Sequence, residues 1–409
     1  MTSSTEHVCH KLLASSTPAE QLREEICSNA DELLGFHCTM TPAPDARRRY
    51  AYATLITRSS YLPGVIVLAD TLLRKNDAAY PLVVLYTPSL PAAAVRALEL
   101  ESSRRDIVLH RCPQLLPPQH VKVNLIAERF EDTWTKLRVF ELFDYDAVCY
   151  LDADMAVYRN MDGIFEKLGQ LPDGWIGANH SCVCNRDFDP WAPEDWRPEN
   201  CAYTPLSHPL ALSEPTQPAA DGPRTFQLIN GGMFLFRPSE AIWASMMAFF
   251  NTTPLLSTFK FPDQDFLAHF FAGRWRAMGW QYNALKTMKY WHPEMWRDEE
   301  VVCLHYVVDK PWTKRVGEDG VAGYKGRDGI THSRWWEAYS SWEKDTTENS
   351  SHGHEILPLV RRGVAPPPGR DGWGDVELDP DMNAIGDGVQ AFATNMVHTM
   401  PENTTNSEA

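Results

Sequence analysis

The residues best placed to do chemistry are two aspartates, Asp152 and Asp154, that close the apolar run Ala147-Val148-Cys149-Tyr150-Leu151. Two carboxylates on a chain leaving a strand can converge on one hard divalent cation that also holds a phosphate. An isolated Asp-x-Asp is as readily a solvated acidic turn, so its meaning depends on its company. Lys136 lies on a helical stretch just before the acidic strand, off the stripe formed by Trp134, Leu137, Phe140 and Phe143. Asn230-Gly231-Gly232 separates two apolar runs. It reads as a hairpin turn, or as glycines that let backbone approach a bound ring. Asp263-Gln264-Asp265 opens a helix, where acids complement the helix dipole or face a ligand. His305 ends a strand five residues before Lys310. A lone histidine there is usually a core residue, but it can equally be a metal ligand beside a phosphate contact.

The elements that must position these groups follow a βα rhythm. Strands are expected at 51–57, 81–86, 106–110, 147–151, 175–179 and 301–306, with two more within 226–236 on either side of Asn230-Gly231-Gly232. Helices are expected at 61–73, 91–100, 133–143, 238–250, from 261, and at 334–342. Strands alternating with helices predict a mostly parallel, doubly wound α/β sheet with helices on both faces. In such sheets ligands bind beyond the carboxyl ends of the strands, where Asp152 and Asp154 fall. The first βα turn, Thr57-Arg58-Ser59-Ser60-Tyr61, lacks the glycine-rich dinucleotide fingerprint. Residues 1–48 read as an N-terminal helical extension, with Thr17-Pro18-Ala19-Glu20 as a helix start. Residues 49–345 read as the main domain. Within it, 181–224 is a long Pro-rich, aromatic insertion marked by Trp191, Trp196 and Tyr203, and such loops are usually functional or disordered. Residues 346–409 are polar and rich in Pro and Gly, and read as a largely disordered tail.

Composition narrows the partners. A formal net charge of -16 disfavours nucleic acid and a polybasic membrane contact. No run approaches the roughly 18 apolar residues of a membrane span, and no signal-peptide pattern opens the chain. With nine scattered cysteines, a soluble, reducing, cytoplasmic setting is expected. Cys182, Cys184 and Cys201 stand apart as a small zinc site or a loop staple, though their spacing matches no usual zinc pattern.

The ordered set Thr54-Leu55-Ile56-Thr57 with Tyr61, Lys136, Asp152-Ala153-Asp154, Asn230-Gly231-Gly232, Asp263-Gln264-Asp265, and His305 with Lys310-Pro311-Trp312 resembles the family 8 retaining glycosyltransferases. The resemblance covers roughly residues 50–342. It is closest to the galactinol synthase branch, through PLVVLYTPSLP, TWTKLRVFELFDYDAVCYLDADMAV, FPDQDFLAHFF, the stretch from Tyr282-Asn283 to His292-Pro293-Glu294-Met295-Trp296, and LHYVVDKPW. Glycogenin is a more distant relative. The resemblance implies a single nucleotide-diphospho-sugar transferase domain of GT-A type. It implies Mn²⁺, with Mg²⁺ as the alternative, on Asp152, Asp154 and His305. It puts the diphosphate on Lys310, the uridine near Leu55, Thr57 and Tyr61, and the donor sugar near Lys136, Asn230, Gly231, Gly232, Asp263 and Gln264. Asp263, Gln264 and Lys136 are then the catalytic candidates. Arg58 departs from the family, where small or polar residues are usual.

The implied reaction moves a hexosyl group from UDP-galactose or UDP-glucose to a hydroxyl acceptor, myo-inositol being the branch's own. Retention is expected through attack from the face that UDP leaves rather than through a covalent adduct on Asp263. Two other readings stay open: a self-glucosylating primer, with Tyr203 as candidate acceptor, and a non-catalytic nucleotide-sugar-binding protein. A phosphatase is disfavoured, since Met155-Ala156 stands where that chemistry wants a tight Gly-Thr/Val turn. The family also allows a homodimer.

Overall fold

The computed structural model describes residues 49–121, 128–189, 192–219 and 221–367, with backbone alone at 128–131. The expected N-terminal helix, Trp191 and the tail beyond residue 367 lie outside the described residues.

Strand β1 (Tyr50–Ile56) leads into helix α1 (Leu62–Ala69), which a π turn extends to Lys75. Next come β2 (Leu82–Tyr86), α2 (Ala92–Ser102) and β3 (Ile107–Arg111). A 3-10 stretch, Glu128–Glu141, precedes β4 (Ala147–Leu151), and β5 (Met155–Val157) follows the two aspartates. Strands β6 (Ile176–His180) and β7 (Ile229–Phe236) flank the insertion. Helices α3 (Glu240–Thr252) and α4 (Pro262–Phe270) follow, then β8 (Trp275–Ala277) and β9 (Ala284–Leu285). Short α5 (Met288–Trp291) precedes β10 (Cys303–His305), and the series ends in α6 (Gly329–Asn349) and α7 (Gly353–Arg361).

The main sheet runs β3-β2-β1-β4-β7-β6-β8, and β5-β10-β9 form a small second sheet. β7 is antiparallel to both neighbours, while the other pairings of the main sheet are parallel. This is the mixed, mostly parallel α/β sheet that the strand–helix alternation predicts. Its central strands β1, β2, β4 and β7 are apolar on both faces, as a sheet covered on both sides requires. Tyr52, Leu82, Val84, Cys149, Leu151, Met233 and Leu235 point to one core, which α1, α6 and α7 cover. Ala51, Ala53, Val83, Leu85, Val148, Tyr150, Phe234 and Phe236 point to the other, closed by the 3-10 stretch, α3 and α4. Period-two alternation therefore sorts each central strand between two apolar layers instead of between core and water.

Three expectations are corrected. Asn230-Gly231-Gly232 makes no hairpin: it lies inside one continuous strand, β7, with a register shift opposite it between Ala178 and Asn179. The last aromatic helix starts at Gly329 and runs to Asn349, past the expected boundary at 345. Residues 346–367 are not a disordered tail: α7 buries Ile356, Leu357 and Val360, and Val364 and Ala365 are buried behind it. The sequence conceals this because α7 carries only one apolar face between polar and Pro-rich flanks. Arg96 of α2 binds Glu355 through two hydrogen bonds, and the amide of Ala365 donates to the carbonyl of Trp312 at 2.8 Å. The insertion is built of turns, with 3-10 segments at Pro198–Asn200, Leu210–Leu212 and Arg224–Gln227. No helix among the described residues is long and apolar enough to cross a membrane.

Helix α6 also carries a pH-sensitive residue. His332 is buried, with Nε2 3.2 Å from the Lys286 ammonium, which itself binds Asp328 at 2.6 Å. Burial and then the Lys286 charge push its pKa from 6.5 down to about 2. The unfolded chain therefore binds a proton below pH 6.5 that the folded chain refuses, so stability falls as pH drops through that value. The loss from this group is about 2 kcal/mol at pH 5. Denaturant unfolding at pH 7 and pH 5 is expected to show a smaller drop for His332→Asn than for the wild type. Equal drops would remove His332 from the account.

Candidate active site

The site forms at the carboxyl end of β4, where the chain turns through Asp152-Ala153-Asp154 into β5. The Asp152 amide donates to the Gly232 carbonyl at 2.8 Å, which fixes the turn to β7. The Tyr306 amide donates to the Asp154 carbonyl at 2.9 Å, which brings the end of β10 alongside. Helix α1 lies against the same turn. A Cβ on Gly64 would stand 2.3 Å from the Ala153 carbonyl oxygen and 2.8 Å from the Trp312 ring, so only glycine permits this approach.

Asp152, Asp154 and His305 each offer one ligand atom, all within 4.8 Å of one another. His305 Nε2 is 3.2 Å from Asp154 Oδ1 and 3.9 Å from Asp152 Oδ2. Its other nitrogen, Nδ1, donates to the Asn283 side-chain oxygen at 2.9 Å, which turns Nε2 toward the carboxylates. Asn283 donates in turn to Asn230 Oδ1 at 2.9 Å, and that oxygen also accepts from the Gly232 amide at 3.1 Å. Gln264 Oε1 accepts from the Gly231 amide at 3.3 Å and from Asn230 Nδ2 at 3.4 Å. A hydrogen-bonded chain thus runs from the imidazole to the start of α4.

Two lysines complete the charge pattern. Lys136 Nζ lies 2.8 Å from Asp152 Oδ1 and 2.5 Å from Asp263 Oδ2, and donates to the Gly231 carbonyl at 3.1 Å. Burial alone would lower its pKa, but the carboxylates of Asp152 and Asp263 outweigh burial and raise it. Lys136 is therefore a fixed cation and no general base. Lys310 donates to Asp154 and, at 3.1 Å, to the Tyr306 carbonyl. Burial would raise the Asp154 pKa, but Lys310 and His305 hold it well below the carboxylate range. Lys310 reaches back because Val308 turns the chain at φ 65°, a left-handed conformation for a β-branched residue that costs about 1–3 kcal/mol. Strain of this kind concentrates at functional sites.

The structure thus brings together Asp152, Asp154, His305, Lys136, Lys310, Asn230, Gly231, Gly232, Asp263 and Gln264. Tyr61 joins them through its ring, 5.9 Å below the Lys310 ammonium and 6.0 Å from Trp312. Leu55 and Thr57 sit at the carboxyl end of β1, beside β4, and no hydrogen bond or ion pair among the described residues ties them to this network. Arg58 bonds Asp132 at 2.8 Å. Asp265 differs from Asp263: it accepts from the amides of Lys260 and Phe261 at 2.8 and 2.9 Å and so shapes the start of α4. Sequence reasoning missed Asn283, which orients His305, and Tyr150, whose hydroxyl donates to Asp152 Oδ1 at 3.0 Å. Asn283 stood in the quoted Tyr282-Asn283 cue, but nothing local tied it to a histidine 22 residues on.

The donor set suits a hard divalent cation: two carboxylates, an imidazole with its tautomer fixed, and ammonium groups to meet an anion. No protein-family profile matches the chain. Galactinol synthase 1 of Ajuga reptans is 30% identical over 312 residues, covering 75% of this chain and 86% of that protein. Galactinol synthase 1 of Solanum lycopersicum is 28% identical over 321 residues, covering 77% and 88%. Among solved structures, the galactosyltransferase LgtC in complex with donor and acceptor sugar analogues is 16% identical with a TM-score of 0.46, covering 71% of this chain and 95% of its own. The glycosyltransferase GlyE of Streptococcus pneumoniae is 17% identical with a TM-score of 0.46, covering 74% and 64%.

Proposed function

The chain belongs to the galactinol synthase family, within the family 8 glycosyltransferases, and from that premise we propose that it moves a hexosyl group, with retention, from a UDP-sugar to a small hydroxyl acceptor. UDP-galactose and myo-inositol are the favoured pair, because the relatives are named for galactinol; UDP-glucose is the other donor to test. The observation that carries this reading is the meeting of Asp152, Asp154 and His305 with Lys310 at the carboxyl end of β4.

Asp152, Asp154 and His305 would hold Mn²⁺, or Mg²⁺ in its place. Bound there, the cation supplies positive charge against the diphosphate as it leaves. The remaining work falls to the chain itself. Lys310 is a point charge for the same phosphates, and its contact with Tyr61 sets it beside the expected uridine end. Lys136, held protonated, fixes Asp152 and Asp263 in place. Asp263 Oδ2 is engaged by that ammonium, which reduces its strength as a nucleophile and supports attack from the face that UDP leaves. The acceptor proton then passes to a departing phosphate oxygen. Asn230 and Gln264, already bonded to each other, are positioned to meet sugar hydroxyls.

The primer reading loses its candidate acceptor: Tyr203 is buried and its hydroxyl donates to the His180 carbonyl at 2.8 Å. The deciding experiment incubates the purified chain with Mn²⁺ and a panel of UDP-sugars, with and without myo-inositol, and follows UDP release. Release with one sugar, stimulated by inositol and lost in EDTA, is expected. Binding of UDP-sugar without release from any member would favour a binding protein, and a ladder of hexoses on the intact mass would favour a primer.

A further inference from the structure

Cys182 and Cys184 leave β6 directly, and Cys201 follows the Pro198–Asn200 turn in the insertion. His292 comes from elsewhere, just past α5 in the connection from β9 to β10. The fold brings these four residues to one point. His292 Nε2 lies 3.3 Å from Cys182 Sγ, 3.3 Å from Cys184 Sγ and 3.7 Å from Cys201 Sγ, and the sulfurs of Cys182 and Cys201 are 3.9 Å apart. Cys184, Cys201 and His292 are buried, and Cys182 is partly so.

We propose that Cys182, Cys184, Cys201 and His292 form a structural zinc site. A tetrahedron with Zn–S of about 2.3 Å and Zn–N of about 2.0–2.1 Å has S···S edges of about 3.8 Å and S···N edges of about 3.6 Å. The observed edges match this closely, and a disulfide, at about 2.05 Å, does not. A disulfide would also use two of three converging thiols and leave the histidine without a role. Three sulfurs and an imidazole select zinc over the hard cations suited to Asp152, Asp154 and His305. All four positions come from the protein, so the site is closed and structural in kind. Loading it converts three thiols to thiolates and sends three protons to solvent. The spacing escapes the usual zinc patterns because the fourth ligand lies 91 residues beyond Cys201.

The site ties both the start and the middle of the 181–224 insertion to the stretch that carries Asn283 and leads to His305. It goes beyond the proposed reaction and does not depend on it. The test uses the full chain, purified without added metal and dialysed exhaustively. Native mass spectrometry and elemental analysis are expected to give about one zinc per chain, retained in Asp152→Asn/Asp154→Asn and lost in Cys184→Ser and His292→Ala. Should those last variants fail to fold, cobalt exchanged into the wild type decides: thiolate-to-cobalt charge-transfer absorption is expected. Zinc below about 0.1 per chain with no such absorption would overturn the site, as would zinc lost with the aspartate variant alone. A Cys182–Cys201 disulfide in protein alkylated at lysis would replace the site with a staple.

Discussion

Asp154→Asn is expected to lower kcat/KM by about 10³-fold or more, since a metal's charge stabilisation of several kcal/mol would go with the carboxylate. Asp154 faces His305 Nε2 at 3.2 Å, accepts from Lys310, and anchors Tyr306 through its carbonyl. Asparagine preserves the shape and the backbone bond but removes the charge. It also leaves Lys310 buried beside a neutral amide, so a fall in stability is expected too; breaking a buried pair costs about 3–5 kcal/mol at the extreme. The comparison is therefore made below the variant's melting temperature, with circular dichroism showing native helix content. UDP release at saturating Mn²⁺ is the readout. If a folded Asp154→Asn protein kept activity within a few-fold of wild type, the metal reading of this turn would be wrong.

Gly232→Ala is the second large effect, and its cause is steric. A Cβ there would stand 2.2 Å from His305 Cε1, 2.5 Å from His305 Nδ1 and 3.0 Å from Asn230 Oδ1. His305 has nowhere to go: it is buried, and Nδ1 is bonded to Asn283. Overpacking of this kind costs about 1–3 kcal/mol of stability. The larger loss is functional, because the imidazole must leave its place between the two aspartates. A misplacement near 1 Å lowers turnover by about 10²-fold. Mn²⁺ titration of the variant, followed by calorimetry and by UDP release, is expected to show weaker metal binding and lower kcat together. A variant with wild-type Mn²⁺ affinity would show that His305 is not held by this contact.

Gly232 also marks how far the sequence could be read. Its glycine was legible as something backbone-driven, but a hairpin and a close approach look alike in one dimension. The structure excludes the hairpin, and the group packed against Gly232 is the His305 side chain from another strand. The strands themselves were legible because both sheet faces are buried, so β1, β2, β4 and β7 are apolar runs. Asp152 and Asp154 were legible for a related reason: carboxylates that end such a run stand where a parallel sheet binds ligands. Lys136 lies off the apolar stripe of its helical stretch, and only tertiary contact with Asp152 and Asp263 buries it. Asn283 and His292 share one difficulty. Each acts on a partner that is distant along the chain, and neither local period nor motif spacing carries that information.

Helix α7 and the residues behind it bear on how this protein is made. Glu355 meets Arg96 across 259 residues of sequence, and Ala365 closes onto Trp312, whose indole donates to the Ser60 carbonyl at 2.9 Å. Ribosomes deliver the amino-terminal strands first, with the apolar side of α1 and α2 uncovered. That surface stays open to chaperones and to other nascent chains until the last helices emerge. A chain halted before Ala365 carries the full set of site residues, yet the wall that holds Trp312 beside Tyr61 and Lys310 is still missing. The packing around Trp312 is therefore completed only after every residue of the candidate site has been synthesised.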